Sequence, residues 1–136
     1  GLLKPSHYDL PSLAAHVPAV YIATPVLKRT GALRIPALDE KSQLLSWWDV
    51  NRRETLFIYG GNWQADLLSP AGLQLSGLYG RSSNQELLNG SPAVGLEVDD
   101  QVFLRPTQSE SVLLQFGDLL AVRGGRIVER WPVYTS

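Results

Sequence analysis

The chain contains no cysteine. That excludes a disulfide framework, a thiolate zinc site and a thiol nucleophile, and it fits a reducing cytoplasm. Histidine is nearly as scarce: His7 and His16 stand on either side of Pro11, and their spacing is not the i, i+4 of a helical metal pair. With histidine confined to one end and no Gly-x-Ser-x-Gly elbow, no Ser-His-Asp arrangement is readable. No apolar run approaches the roughly 20 residues that span a bilayer, and the first residues lack the regions of a signal peptide. Neither sign of charge predominates. The net charge is −1 with acids and bases interspersed, which gives no electrostatic reason to expect nucleic acid or a membrane as partner. Methionine is absent even from position 1, where an average chain of this length would hold about three. The expectation is an excised piece of a longer protein.

What is present is patterned for strands. The 136 residues fit one domain and fall well short of the about 250 of a (β/α)8 barrel. A short helix is predicted from Pro11 to His16, ended by Pro18. Ala19 to Leu27 is β-rich, with Pro25 restricting it to an edge or a bulge. From Asp39 to Glu54 the period becomes helical, with Leu44, Leu45 and Trp48 on one face, ready to pack on a sheet. Thr55–Tyr59 is a second strand running into Gly60-Gly61, a pair that permits a positive φ or a close backbone approach. Residues 69–80 read as loop-rich, Val94–Val98 as a half-buried strand. Val102–Leu104, Val112–Phe116 and Leu119–Val122 read as further strands, and Arg123-Gly124-Gly125-Arg126 as a hairpin returning through Ile127–Trp131. The predicted fold is mainly β: a small β-barrel or sandwich-like domain with one substantial helix and short helical decoration.

Two polar runs interrupt this framework. One is Arg81-Ser82-Ser83-Asn84-Gln85-Glu86, which also reads as a plain solvated loop; the other is Arg105-Pro106-Thr107-Gln108-Ser109-Glu110. In an extended chain Gln108 and Glu110 share a face, and Glu110 would serve as a metal ligand or as a general base raised by partial burial. Glu86 and Glu110 would form a carboxylate pair if the two runs converge.

The tail, from Val102-Phe103-Leu104-Arg105-Pro106-Thr107-Gln108-Ser109-Glu110 through Gly117-Asp118-Leu119 to Trp131-Pro132-Val133, resembles the C-terminal domain of the D-threonine aldolase and D-serine dehydratase family. These are fold-type III, alanine racemase-like pyridoxal phosphate enzymes. Phe57–Gly61 resembles the strand that enters that domain, and Ser83-Asn84-Gln85-Glu86 more loosely resembles its Ser-x-Glu-His segment. Gly80-Arg81-Ser82-Ser83-Asn84-Gln85-Glu86 and Arg105–Glu110 are similar to the amino acid deaminase branch. The resemblance implies residues 1–18 as an exit segment from an N-terminal barrel, residues 19–136 as the C-terminal β-domain, a homodimer, and a small D-amino acid as substrate. It implies a lyase, deaminase or aldolase, with pyridoxal phosphate held mainly by the barrel. The family's His-x-Cys or His-x-Asp metal pair falls on Gln108 and Glu110, a set suited at best to a hard divalent cation such as Mg²⁺ or Mn²⁺. Lys4 does not match the motif of the aldimine lysine, so the chain alone is expected to be inactive. From their places in the two runs, Glu110 and Glu86 are the candidate catalytic residues. Gln108, Asn84 and Gln85 are candidate substrate hydrogen-bonding groups, and Arg105 the candidate receptor for its carboxylate. The alternatives are a racemase of the same fold, or a non-catalytic module for ligand binding or dimerisation.

Overall fold

The structure is a computed structural model that describes residues 3–31, 54–77 and 81–134. Eight strands are described: β1 (Ile22–Gly31), β2 (Glu54–Tyr59), β3 (Ala65–Ser69), β4 (Leu73–Leu75), β5 (Gln85–Gly90), β6 (Gln101–Pro106), β7 (Leu119–Arg123) and β8 (Arg126–Trp131). Six form one antiparallel sheet in the order β3-β6-β1-β2-β5-β4, and β7 and β8 form a separate ribbon. The outer strands β3 and β4 follow each other through a short turn and lie close together, so the sheet curls into a nearly closed barrel.

Strand β1 makes the curl. Its first part pairs with β6, from Ile22 opposite Leu104 to Pro25 opposite Gln101. Its second part pairs with β2, from Val26 opposite Ile58 to Gly31 opposite Glu54, with a bulge between Val26 and Lys28. Pro25 stands at the changeover, where a residue without an N–H is tolerated. There the Thr24 hydroxyl accepts a bond from the Tyr59 amide (3.3 Å) and extends the contact past the last ladder pair. A bulge bends and twists the strand that carries it, which is how a barrel corner is turned.

The core follows from alternation. Val102, Leu104 and Pro106 of β6 point inward while Gln101 and Phe103 face solvent. They meet Ile22 and Val26 of β1, Leu56 and Ile58 of β2, and Leu88 of β5. At the barrel's second end, where β1 finishes, Arg29 bridges the buried Glu54 and the exposed Glu97.

Several expectations change. Within 69–77 the chain is not a plain loop: β3 runs to Ser69 and β4 occupies Leu73–Leu75. Val94–Val98 is not a strand. Pro92–Val94 forms a 3-10 turn capped by the Ser91 hydroxyl, and Gly95 takes a left-handed φ of 67° that breaks any extended run. The strand lies earlier, at Gln85–Gly90, and begins within the polar run that ends at Glu86. Val112–Phe116 is not a strand either, because Ser109–Leu113 is a short helix, α1, that buries only Val112. Pro11–His16 shortens to a 3-10 turn at Pro11–Leu13. The helix predicted over 39–54 lies outside the described residues except for Glu54, which opens β2. The Gly124-Gly125 hairpin forms as expected, with φ of 57° and 74°.

Leu88 is fully buried and Leu120 is 47% exposed. Leu88→Ala is expected to cost about 2–5 kcal/mol in urea unfolding, and Leu120→Ala at most about 0.5 kcal/mol. Equal costs would contradict this placement of the core.

Candidate functional site

The ladders decide where the polar runs end up. Strand β2 finishes at Tyr59, opposite Gln85, where β5 begins. Strand β6 finishes at Pro106, opposite Ala65, where β3 begins. Because β2 and β6 both pair antiparallel with β1, all four of these ends lie at the barrel end where β1 starts. Both polar runs therefore open at one end.

They are joined there through Trp63, Gln64 and Ala65. The Arg81 guanidinium donates to the Trp63 carbonyl and to the Ala65 carbonyl (2.7 Å). Between them, the Gln64 carbonyl accepts from the Thr107 amide (2.7 Å) and the Thr107 hydroxyl (2.8 Å). The Ser111 hydroxyl of α1 donates to the Gln64 side-chain oxygen (3.2 Å). On the other flank the Ser82 carbonyl accepts from the amides of Gly61 (3.0 Å) and Asn62 (3.3 Å), while the Gly60 amide donates to the Asn84 carbonyl (2.8 Å). This close approach explains the paired glycines. A Cβ on Gly60 would fall on the Ser82 carbonyl and lie 2.9 Å from the Gln85 nitrogen, and one on Gly61 would strike the Trp63 indole. Neither glycine has a positive φ.

Glu86 points into the barrel from β5 and is 1% exposed. Neither carboxylate oxygen has a hydrogen-bond partner among the described residues, and the Arg81 Nη1 lies 4.0 Å away. Burial pushes this carboxyl above its ordinary value, and the Arg81 guanidinium offsets part of the rise. Arg81 has its own donors committed to two carbonyls, so it supplies field rather than a hydrogen bond.

The remaining candidates occupy different settings. Asn84 and Gln85 are exposed on the rim. Gln108 is exposed and extended (φ −133°, ψ 137°) immediately before α1, and Glu110 is exposed in its first turn. The shared face expected of Gln108 and Glu110 is thus lost, because the helix starts between them and residues two apart in a helix do not align. Arg105 is already engaged: its two terminal nitrogens hold the Asp9 carboxylate at 2.8 Å each, and Nη2 also donates to the Lys4 carbonyl (3.0 Å). A substrate carboxylate would have to displace Asp9. Among the described residues no three His, Asp or Glu side chains gather as a metal group.

The residues that knit the two runs, Trp63 to Ala65, carry no signal in the sequence, because apart from the Gln64 side-chain oxygen their contribution is backbone carbonyls. Asp9, the partner of Arg105, lies 96 residues away from it. The glycine pair is the one legible sign of close packing at this end. No family model, curated protein or solved structure matches the chain.

Because burial raises the Glu86 carboxyl above its ordinary value, ionising it weakens the fold. This contribution is intact at low pH and is lost as pH rises above about 4, the range of a free glutamate, through the raised value. Glu86→Gln should therefore raise the melting temperature near pH 7 and by less near pH 4. A fall near pH 7 would mean that Arg81 holds the carboxylate ionised.

Proposed function

We propose that this chain is the C-terminal β-domain of a pyridoxal phosphate-dependent enzyme acting on D-amino acids, a deaminase, dehydratase or aldolase. In this reading it supplies one polar wall of an active site whose other wall is an N-terminal barrel. The support is the resemblance of the two polar runs to the amino acid deaminase branch, taken with one observation: both runs open at the same barrel end and are tied to the same three residues. Strand direction alone brings both runs to that end; the bonds through Trp63–Ala65 are what tie them to each other there.

The described lysines do not fit a covalent link to the cofactor. The Lys4 ammonium donates to the His16 carbonyl (2.8 Å) and pairs with Asp9 (3.5 Å), and Lys28 lies over the Phe57 ring. The cofactor's chemistry, an electron sink for the substrate carbon, would belong to the barrel. This chain's share would be positioning and proton transfer. Glu110, exposed at the start of α1, would touch substrate and take or give a proton. Gln108, Asn84 and Gln85 are exposed amides on the same rim and would hydrogen-bond to the substrate. Glu86 would act as a positioning residue through Arg81, since no substrate reaches a carboxyl that is 1% exposed. Arg105 would bind the substrate carboxylate only by exchanging Asp9. A cytoplasmic setting belongs to the same proposal.

In the full-length protein with its barrel, Glu110→Gln should lower kcat/KM for D-serine or D-threonine by about 10²–10⁴-fold, the usual worth of a general acid or base. Unchanged turnover of both would remove Glu110 from the mechanism.

A further inference from the structure

Glu86 stands where the barrel wall is least paired. The outer strands β3 and β4 close the barrel against each other, but β4 is only three residues long. Its ladder with β5 ends where Leu75 lies opposite Leu88, and the Ser76 amide adds one bond to the Leu87 carbonyl (2.8 Å). Beyond that point Gln85 and Glu86, at the start of β5, have no described strand on this flank, and the start of β3 has none on its own outer flank. The Arg81 guanidinium spans this seam. It binds the Trp63 and Ala65 carbonyls on the β3 side and lies 4.0 Å from Glu86 on the β5 side.

The two terminal nitrogens of Arg81 are not equally committed. Nη2 donates to the Ala65 carbonyl (2.7 Å), whereas Nη1, which donates to the Trp63 carbonyl, is also the nitrogen nearest Glu86 Oε1. The Trp63 carbonyl has a second donor in the Ala65 amide (2.8 Å), so it stays satisfied if Nη1 leaves. Both Glu86 oxygens lack a partner. A hydrogen bond to Oε1 requires Nη1 to approach by about 1 Å. A neutral carboxyl draws it weakly, but an ionised one offers a charge-assisted bond about twice as strong as a bond to a carbonyl. No other described charge competes for Glu86. The buried residues facing it from β1, β2, β3, β4, β6 and α1 are uncharged, except Glu54, which is bound to Arg29 at the far end of β2. The buried Lys4 is committed to Asp9 and the His16 carbonyl.

We propose that Arg81 is a latch across this seam, set by the proton on Glu86. With the carboxyl protonated, Arg81 holds both carbonyls and the seam is shut. When the proton passes to solvent, the guanidinium pivots about its bond to Ala65 and Nη1 moves from the Trp63 carbonyl to Oε1. The run that follows Arg81 then loosens from the turn at Gly60–Asn62. One carboxylate oxygen gains a donor and the other stays bare, so the cost of the buried charge is lessened and not cancelled. Burial raises this carboxyl, which puts the transition above about pH 4, the range of a free glutamate. Rising pH opens the latch, and falling pH shuts it. The device concerns the joint itself and holds whatever the rim binds, so its failure would leave the enzymatic reading standing.

A nuclear magnetic resonance titration of the 136-residue chain, from about pH 4 to about pH 8, tests this by following the Glu86 carboxyl carbon and the Arg81 side-chain signals together. Both should move with one shared midpoint. Over the same interval the Gly61 amide, which donates to the Ser82 carbonyl, should lose protection from hydrogen exchange once the intrinsic pH dependence is removed. Glu86→Gln keeps a neutral side chain at every pH. In that variant the Arg81 signals and the Gly61 protection should hold their low-pH values throughout. Arg81 signals that stay fixed while Glu86 titrates, a Gly61 amide indifferent to the transition, a response that survives Glu86→Gln, or a carboxyl that does not ionise in this range would each overturn the latch.

Discussion

One strand belongs to two ladders, and the rest of the barrel depends on it. Strand β1 lies between β6 and β2 and joins the two halves of the sheet, which would open there without it. The changeover at Pro25 and the bulge that follows let residues 22–25 close one half and residues 26–31 the other. A consequence reaches beyond the fold. By fixing β2 and β6 in the same direction, the shared strand sends both of their outgoing loops, and with them both polar runs, to one end.

At that end, strand pairing alone would leave the loops adjacent without joining them. The join is made by backbone carbonyls of three consecutive residues, held alternately by Arg81 and by Thr107. Arg81 thereby serves two roles. It fixes the loop geometry, and its charge lies beside a buried carboxyl that burial raises above its ordinary value. A buried acid with no hydrogen bond is a standing cost to stability. Such a cost is retained where the group has work to do, and this is the physical ground for including Glu86 in the functional reading.

The mainly β character was legible because Val102–Leu104 and Thr55–Tyr59 carry strong strand propensity and Gly124-Gly125 a strong turn. The strand at Gln85–Gly90 was hidden: its inward residues are Glu86, Leu88 and Gly90, of which one alone is apolar. Alternation in hydrophobicity fails when a charged side chain takes a core position. Helix α1 was misread for a related reason, since Val112, Leu113 and Leu114 look like a buried strand although only Val112 enters the core. The polar runs were visible as composition. Their meeting was not, because it depends on ladder directions and on carbonyls that no side chain announces.

The central claim is that the two polar runs form one mechanical unit through Trp63–Ala65, and native-state hydrogen exchange tests it most directly. Arg81→Ala removes the hydrogen bonds to Trp63 and Ala65 and breaks no described hydrogen bond to residues 105–111. If the unit is real, the Thr107 amide, which donates to Gln64, loses protection together with the Gly61 amide. If Gly61 exchanges faster while Thr107 keeps its wild-type protection, the two runs are independent and the account of a shared site is wrong.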